Sequence, residues 1–277
     1  MSLFIASLNS GSNGNAYYIG NHSEAILVDA GISCRETERR MERLGLSMER
    51  VKAIFISHEH GDHIRGVSVL SKKYNLLVYI TPATLKNSGF KLADEFNKKF
   101  TGGESIAIGE LQITPFKKFH DASDPHSFIV ESKGIKIGVF TDLGVVCAEL
   151  SHYFKQCHAA FLEANYDEDM LENGRYPFHL KNRIRNGHGH LSNKQSLELF
   201  LEHKPAFMSH LLLSHLSKNN NSPELVYQLF LQHAGNTHIV IASRDEETNV
   251  FEITDNFAPA AIQKKRVVIP AVQMSLF

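Results

Sequence analysis

With 277 residues, 43% of them hydrophobic, the chain has material for one large core, and no Pro/Gly/Ser-rich linker divides its first 250 residues. A formal net charge of −1 excludes a global basic field, so a polyanion partner has to be met by a local cluster of cations. Three widely spaced cysteines, Cys34, Cys147 and Cys157, form no C-x-x-C pair; they exclude a disulfide framework and fit free thiols in a reducing cytoplasm. No basic-then-apolar leader and no bilayer-length apolar window is present, which predicts a soluble cytoplasmic protein with no membrane partner.

In chain order, residues 2–8 read as a short strand, followed by the polar loop Asn9-Ser10-Gly11-Ser12-Asn13-Gly14-Asn15. Its glycines permit positive φ, so the loop is either an anion-binding nest of backbone N–H groups or a plain hairpin connection. Residues 16–19 and 25–28 form a strand pair that runs into Asp29-Ala30-Gly31. Residues 35–46 carry helical spacing and alternating charge, an exposed covering helix.

The apolar run 51–57 is a buried strand, and directly after it stands His58-Glu59-His60-Gly61-Asp62-His63. Imidazoles and a carboxylate crowded against a core are costly to hold together without cations. His58 and His60, two apart on extended chain, can converge on one ion. Asp62 and His63, with divergent side chains, suit a second. The apolar Ile64, Val67, Val69 and Leu70 predict a helix opening at about Asp62, its N-terminal dipole beside anionic groups.

Residues 76–80 are a further strand, residues 82–100 have a mixed helical pattern, and Gly102-Gly103 marks a turn. A hairpin over 106–116 delivers His120-Asp121; a strand pair at 127–131 and 136–140 ends on Thr141-Asp142; the run 159–162 ends on Glu163-Ala164-Asn165-Tyr166-Asp167. Arg175, Lys181, Arg183 and Arg185 place four cations in eleven residues with aromatics among them, either a phosphate-binding cluster or a solvated basic face. Gly189-His190-Leu191-Ser192-Asn193 opens a helix to about His203, and the buried run 206–213 ends at His215.

The His58-x-His60-x-Asp62-His63 motif after an apolar strand resembles the signature of metallo-β-lactamase fold hydrolases, in its dinuclear form. The resemblance implies an α/β fold, the αββα sandwich of two mixed β-sheets flanked by helices. It makes His58, His60 and His120 the ligands of one ion and Asp62, His63 and His215 those of the other. Asp142 bridges the two, and Asp29 supports the metal loop without being a ligand. His190 resembles the histidine that protonates a leaving group in nuclease-like members, so Asp62, Asp142 and His190 carry the chemistry. The ligand set favours two divalent metal ions, Zn²⁺ first, with Mn²⁺ or Fe also suited.

Several motifs in one order, from Ser10-Gly11-Ser12-Asn13-Gly14-Asn15 through Glu163-x-Asn165-x-Asp167, Gly174-Arg175-Tyr176-Pro177 and Gly189-His190-Leu191-Ser192 to His215-Leu216-Ser217-x-x-Asn220-Asn221, resemble the YycJ/WalJ type of that superfamily. This implies a phosphodiesterase, a DNA exonuclease acting from 5′ ends in repair or replication. Tyr166 departs from the pattern, which has His there in many relatives. The alternatives are a small-molecule metallo-hydrolase on the same centre, a cyclic phosphodiesterase or lactonase, and a scaffold protein that has lost its chemistry.

The domain organisation expected is a catalytic domain over 1–254 and a C-terminal tether over 255–277. The tether ends in Gln273-Met274-Ser275-Leu276-Phe277, which resembles the peptide that docks on the bacterial DNA polymerase sliding clamp. Met274, Leu276 and Phe277 would fill an apolar pocket and Gln273 would fix register; otherwise the tail folds back over a core patch.

Overall fold

The computed structural model describes residues 2–255. Its first half runs β1 (Ser2–Asn9), β2 (Ala16–Gly20), β3 (Ala25–Val28), α1 (Cys34–Arg43), β4 (Val51–Phe55), α2 (Gly61–Ile64), α3 (Val67–Tyr74), β5 (Leu77–Tyr79), α4 (Pro82–Asn87) and β6 (Asn97–Lys98). The second half runs β7 (Ile106–Ile108), β8 (Leu111–Lys117), β9 (His126–Ser132), β10 (Ile135–Phe140), α5 (Ala148–Phe154), β11 (Ala159–Glu163), α6 (Glu168–Asn173), α7 (Phe178–Arg185), α8 (Asn193–His203), β12 (His210–Ser214), α9 (Pro223–Leu231), β13 (His238–Ile241) and β14 (Phe251–Thr254).

Two seven-stranded sheets result, in the orders β14-β1-β2-β3-β4-β5-β6 and β13-β12-β11-β10-β9-β8-β7. Both are mixed. Antiparallel pairs come from hairpins such as β1–β2 and β9–β10, and parallel pairs such as β3–β4 and β10–β11 come where a helix makes the crossover. The sheets pack face to face. Ile5, Tyr17, Val28 and Phe55 of one meet Ile113, Phe128, Ile137 and Phe161 of the other, with Phe55 edge-on to Phe128 at 5.8 Å between centroids. Fully burying side chains of this size stabilises by about 1.5–3 kcal/mol each. On the outer faces Met41, Val67 and Leu70 cover the first sheet, and Leu150, Phe154, Phe200 and Phe230 cover the second. This is the expected αββα sandwich.

Two expectations need correction. The helical pattern over 82–100 yields a helix only to Asn87: Gly89 takes φ +72°, and Asn97–Lys98 pair with β5 as an edge strand. In the loop after β1, four of the amides that an anion nest would need, both glycine amides among them, already have acceptors. Ser10 N donates to Ser243 O, Gly11 N to Asn15 Oδ1, Gly14 N to Gly11 O and Asn15 N to Asp62 O. The C-terminal peptide with Gln273, Met274, Leu276 and Phe277 lies outside the described residues.

Candidate metal centre

Strands of both sheets end at one edge of the sandwich, and the polar residues at those ends meet there. His58, His60, Asp62 and His63 follow β4 of the first sheet, while His120 follows β8, Asp142 follows β10 and His215 follows β12 of the second. Among the described residues five non-glycines have positive φ, and three are Asp29 (60°), Asp142 (55°) and His215 (56°), each just past a strand end. A left-handed residue costs about 1–2 kcal/mol against ordinary backbone, a strain that turns these side chains into the site. Gly31 is required for a different reason. A Cβ there would fall 1.5 Å from the carbonyl oxygen of Asp62, so only glycine lets the loop after β3 lie against the histidine loop. Ala30 N bonding His63 O at 2.8 Å and Asn15 N bonding Asp62 O at 2.7 Å complete that seam.

Three imidazoles form the first cluster. His58 Nε2 lies 3.0 Å from His60 Nδ1, which lies 3.3 Å from His120 Nε2. The far nitrogens fix the tautomers. Ser57 Oγ donates its proton to Asp29 Oδ2 at 2.8 Å, so it can only accept from His58 Nδ1, also at 2.8 Å. The Gly189 carbonyl does the same for His120 Nδ1 at 2.9 Å. Lone pairs at His58 Nε2 and His120 Nε2 are therefore aimed at a common point beside His60 Nδ1, an arrangement that suits a cation. Burial keeps both rings uncharged, His58 well below the usual imidazole range and His120 at about 4.

The second cluster is acidic. His63 Nδ1 donates to Asp29 Oδ2 at 2.7 Å, and His215 Nδ1 lies 3.2 Å from Glu163 Oε1. Their Nε2 atoms face inward. His63 Nε2 is 3.3 Å from Asp142 Oδ2, and His215 Nε2 is 3.6 Å from Asp62 Oδ2. Asp142 Oδ2 and His215 Nε2 are enclosed and form no hydrogen bond. Burial alone would lower the histidines, but Asp142 and its acidic neighbours outweigh it, holding His63 well above the usual range and His215 at about 10. Burial likewise opposes the carboxylates' charge; His215 and His63 nevertheless hold Asp142 well below the usual range, and His63 and His215 bring Asp62 to about 2. The carboxylates of this cluster thus favour positive charge at the place where a cation would bind. The groups His58/His60/His120, Asp62/His63/His215 and His58/His63/Asp142 each bring ligand atoms within 4.8 Å of one another, so two ions with Asp142 between them fit the residues present.

Glu163, a polar strand end and the first residue of the Glu163-x-Asn165-x-Asp167 motif, has no role assigned from sequence, yet it organises half of the centre. Its Oε1 takes His190 Nδ1 at 2.7 Å as well as His215 Nδ1, and its Oε2 takes the amides of Leu143 at 2.7 Å and Leu191 at 3.2 Å. Burial works against its charge, but His190 and these bonds hold it at about 2. With Nδ1 fixed, His190 presents Nε2 to a cavity of about 470 Å³ that also exposes His60, Asp62, His120, Asp142 and His215. Asn15, which closes the Ser10–Asn15 motif, likewise has no role assigned from sequence: its Nδ2 lies 3.2 Å from Asp62 Oδ2 and 3.1 Å from His63 Nε2.

The expected cation cluster is only partly brought to the centre. Arg183 lines the cavity, where its Nε bonds Asp121 Oδ2 at 2.6 Å. Lys181 bonds the Glu172 carbonyl, and Arg185 pairs with the Glu172 carboxylate at 2.7 Å, both on the outer side of the cluster. Arg175 borders a separate hollow with Tyr176 and Asn219. Tyr166, at the position that departs from the pattern, is buried and bridges to Ser192, and burial pushes its phenol up to about 12.

Comparison with known proteins identifies the family of the chain. Residues 24–215 match the family model of the beta-lactamase superfamily domain. The chain is 33% identical over 228 residues to the exodeoxyribonuclease YycJ of Bacillus anthracis, covering 81% of this chain and 86% of that protein. It is 32% identical over 225 residues to the exodeoxyribonuclease WalJ of Streptococcus pneumoniae, covering 79% and 84%. Among solved structures, the metallo-beta-lactamase fold protein YhfI from Bacillus subtilis superposes with TM-score 0.71 at 14% identity, covering 91% of this chain and 100% of that one. Human tRNase Z, short form, superposes with TM-score 0.61 at 17% identity, covering 92% and 100%. The chain belongs to the metallo-β-lactamase superfamily, to its YycJ/WalJ type, and is a metal-dependent hydrolase.

Proposed function

We propose that the chain is a dinuclear-metal phosphodiesterase that degrades DNA from 5′ ends, in repair or replication within the cytoplasm. The observation that carries this is the fixed tautomers: each of four histidines has its Nδ1 tied to an acceptor and its Nε2 turned inward, beside an orphaned Asp142 oxygen. His58, His60 and His120 would hold one ion, Asp62, His63 and His215 the other, with Asp142 available to both. The imidazole-rich donor set suits Zn²⁺ first, with Mn²⁺ or Fe also compatible. When bound, two such ions would supply a water acidified toward a pKa of about 7 and would neutralise phosphoryl oxygens. Asp62, held ionised, accepts a proton from the attacking water. His190, with Glu163 on its Nδ1, delivers a proton from Nε2 to the leaving 3′-oxygen. Arg183, released from Asp121, can reach a substrate phosphate at the cavity wall, and Arg175, Lys181 and Arg185 extend the positive face outward.

One observation favours the second candidate, a small-molecule metallo-hydrolase: Lys181 and Arg185 are already engaged by Glu172. Metal-reconstituted protein assayed on 5′-labelled single-stranded and duplex DNA beside bis(p-nitrophenyl) phosphate separates the two. Stepwise release from the 5′ end supports the nuclease; turnover of the small ester with no loss of DNA overturns it in favour of the small-molecule enzyme. Docking on the sliding clamp through Gln273, Met274, Leu276 and Phe277 is supported by the sequence match alone. It is tested by anisotropy of a labelled 272–277 peptide with the clamp, where no saturable binding ends it.

A further inference from the structure

Next to the metal cavity lies a second hollow of about 400 Å³ that no step above uses. The two are neighbours: Ser217 lines both, and the Ser10–Ser12 turn carries Ser12 on the metal side and Ser10 on the other. The floor of the second hollow is apolar, with Leu216, Ile241 and Ala242, and its cations are Lys218 and Arg244, against the single carboxylate of Asp245. Among the described residues no ion pair engages either cation.

Arg244 is held as a fixed donor. Its backbone is stitched to the turn, since Asn13 Nδ2 donates to Arg244 O at 2.8 Å and Ser10 N donates to Ser243 O at 3.0 Å. Its guanidinium lies on Gly11, where an added Cβ would come within 2.9 Å of the terminal nitrogen. Its guanidinium, on a residue that lines the hollow, makes no hydrogen bond among the described residues. Terminal guanidinium nitrogens of this kind suit a phosphoryl oxygen, which a guanidinium binds with two donors. The hydroxyls nearby have protons to spare for the same anion. Ser243 Oγ already accepts from the amides of Asp245 and Glu246, and Ser217 Oγ accepts from that of Asn220, so each can still donate.

The geometry points to this hollow as the subsite for the phosphoryl group of the nucleotide next to the scissile bond, gripped by Arg244 and Lys218, with the sugar and base over Leu216 and Ile241. It deepens the phosphodiesterase assignment and rests on it for the identity of the ligand. The phosphoryl group is either a terminal 5′-phosphomonoester or an internal diester.

The test uses full-length zinc-loaded protein, wild type, Arg244→Gln and, at the exposed edge, Lys218→Gln. Substrates are one oligonucleotide with a 5′-phosphate, the same with a 5′-hydroxyl, and bis(p-nitrophenyl) phosphate; thymidine 5′-monophosphate is titrated separately as a binding probe. Both variants should lose at least tenfold more kcat/KM on oligonucleotide than on the minimal diester, chiefly through KM, and the salt dependence should flatten. Loss confined to the 5′-phosphorylated strand assigns the terminal monoester, and equal loss on both strands assigns the internal diester. Proportional loss on all substrates in both variants, or none, with unchanged thymidine monophosphate affinity, overturns the subsite. If wild type cleaves the minimal diester but no DNA while Arg244→Gln still weakens thymidine monophosphate at least tenfold, the nuclease assignment fails and the subsite stands.

Discussion

Replacing Glu163 by Gln tests whether tautomer control builds the centre. The carboxylate accepts four N–H groups, two from rings on Oε1 and two from backbone on Oε2. An amide has acceptor capacity on one side only. If its oxygen faces the rings, its NH₂ opposes the Leu143 and Leu191 amides. If it turns over, the NH₂ faces His190 and His215 Nδ1, which must become lone pairs and move their protons to Nε2, into the metal site. Buried hydrogen bonds to a charged group are worth about 1.5–3 kcal/mol each, and an opposed buried N–H costs about 1–3 kcal/mol. Breaking one partner of such a network therefore costs on the order of 3–5 kcal/mol. Urea unfolding of the metal-free variant should show that loss, and metal analysis after dialysis should show bound metal falling from two ions toward one. The variant keeps nearly the volume of the original, so a cavity is not the cause. A variant that retained both ions, wild-type stability and wild-type turnover would refute the assignment of Glu163 as the group that sets these rings.

Metal loading at pH 7 should release about two protons, from His63 and His215, measured by calorimetry in buffers of different ionisation heat; no release would contradict the protonated metal-free centre. The folded pKa of His215 is raised, so its stabilisation of the metal-free protein is complete below about pH 6.5 and lost as pH rises through about 10, whereas metal-loaded protein should not show this decline. Asp142→Gly should be more stable than Asp142→Ala by about 1 kcal/mol in thermal melts, because glycine accepts the left-handed backbone at φ 55°; both should lose activity. Gly31→Ala should be folded poorly or lose metal, since its Cβ meets backbone and not a movable side chain; normal metal content in a stable variant would contradict the close seam.

The residues that converge at the proposed centre were legible in sequence because a compact local signal, His58 to His63, fixed what to look for at later strand ends. His120, Asp142 and His215 could then be found one at a time. Glu163, Asn15 and Ser57 act through partners up to 52 positions away, such as Glu163 on His215, so the motifs holding Glu163 and Asn15 do not by themselves show which groups they orient. The helix over Phe178–Arg185 was read only as a run of cations because it buries no residue, and helical periodicity is recognised by the face that a core demands. The over-long helix after Pro82 has the opposite cause. The two-residue strand Asn97–Lys98 is set by pairing with β5, a contact that local propensity does not encode.

Each proposed ion takes ligands from both sheets: His58 and His60 with His120, and Asp62 and His63 with His215. Neither set exists until the halves of the sandwich have docked, so metal has little to grip in a half-folded chain and cannot act as an early template. Once bound, it works as a clasp across the seam, and its influence belongs in the rate of opening. Chelation should accelerate exchange of amides along the whole facing surface between the sheets, far beyond the loops that carry the ligands. A cell short of metal would then hold a protein whose two layers part more often, and its turnover by proteases would report metal supply.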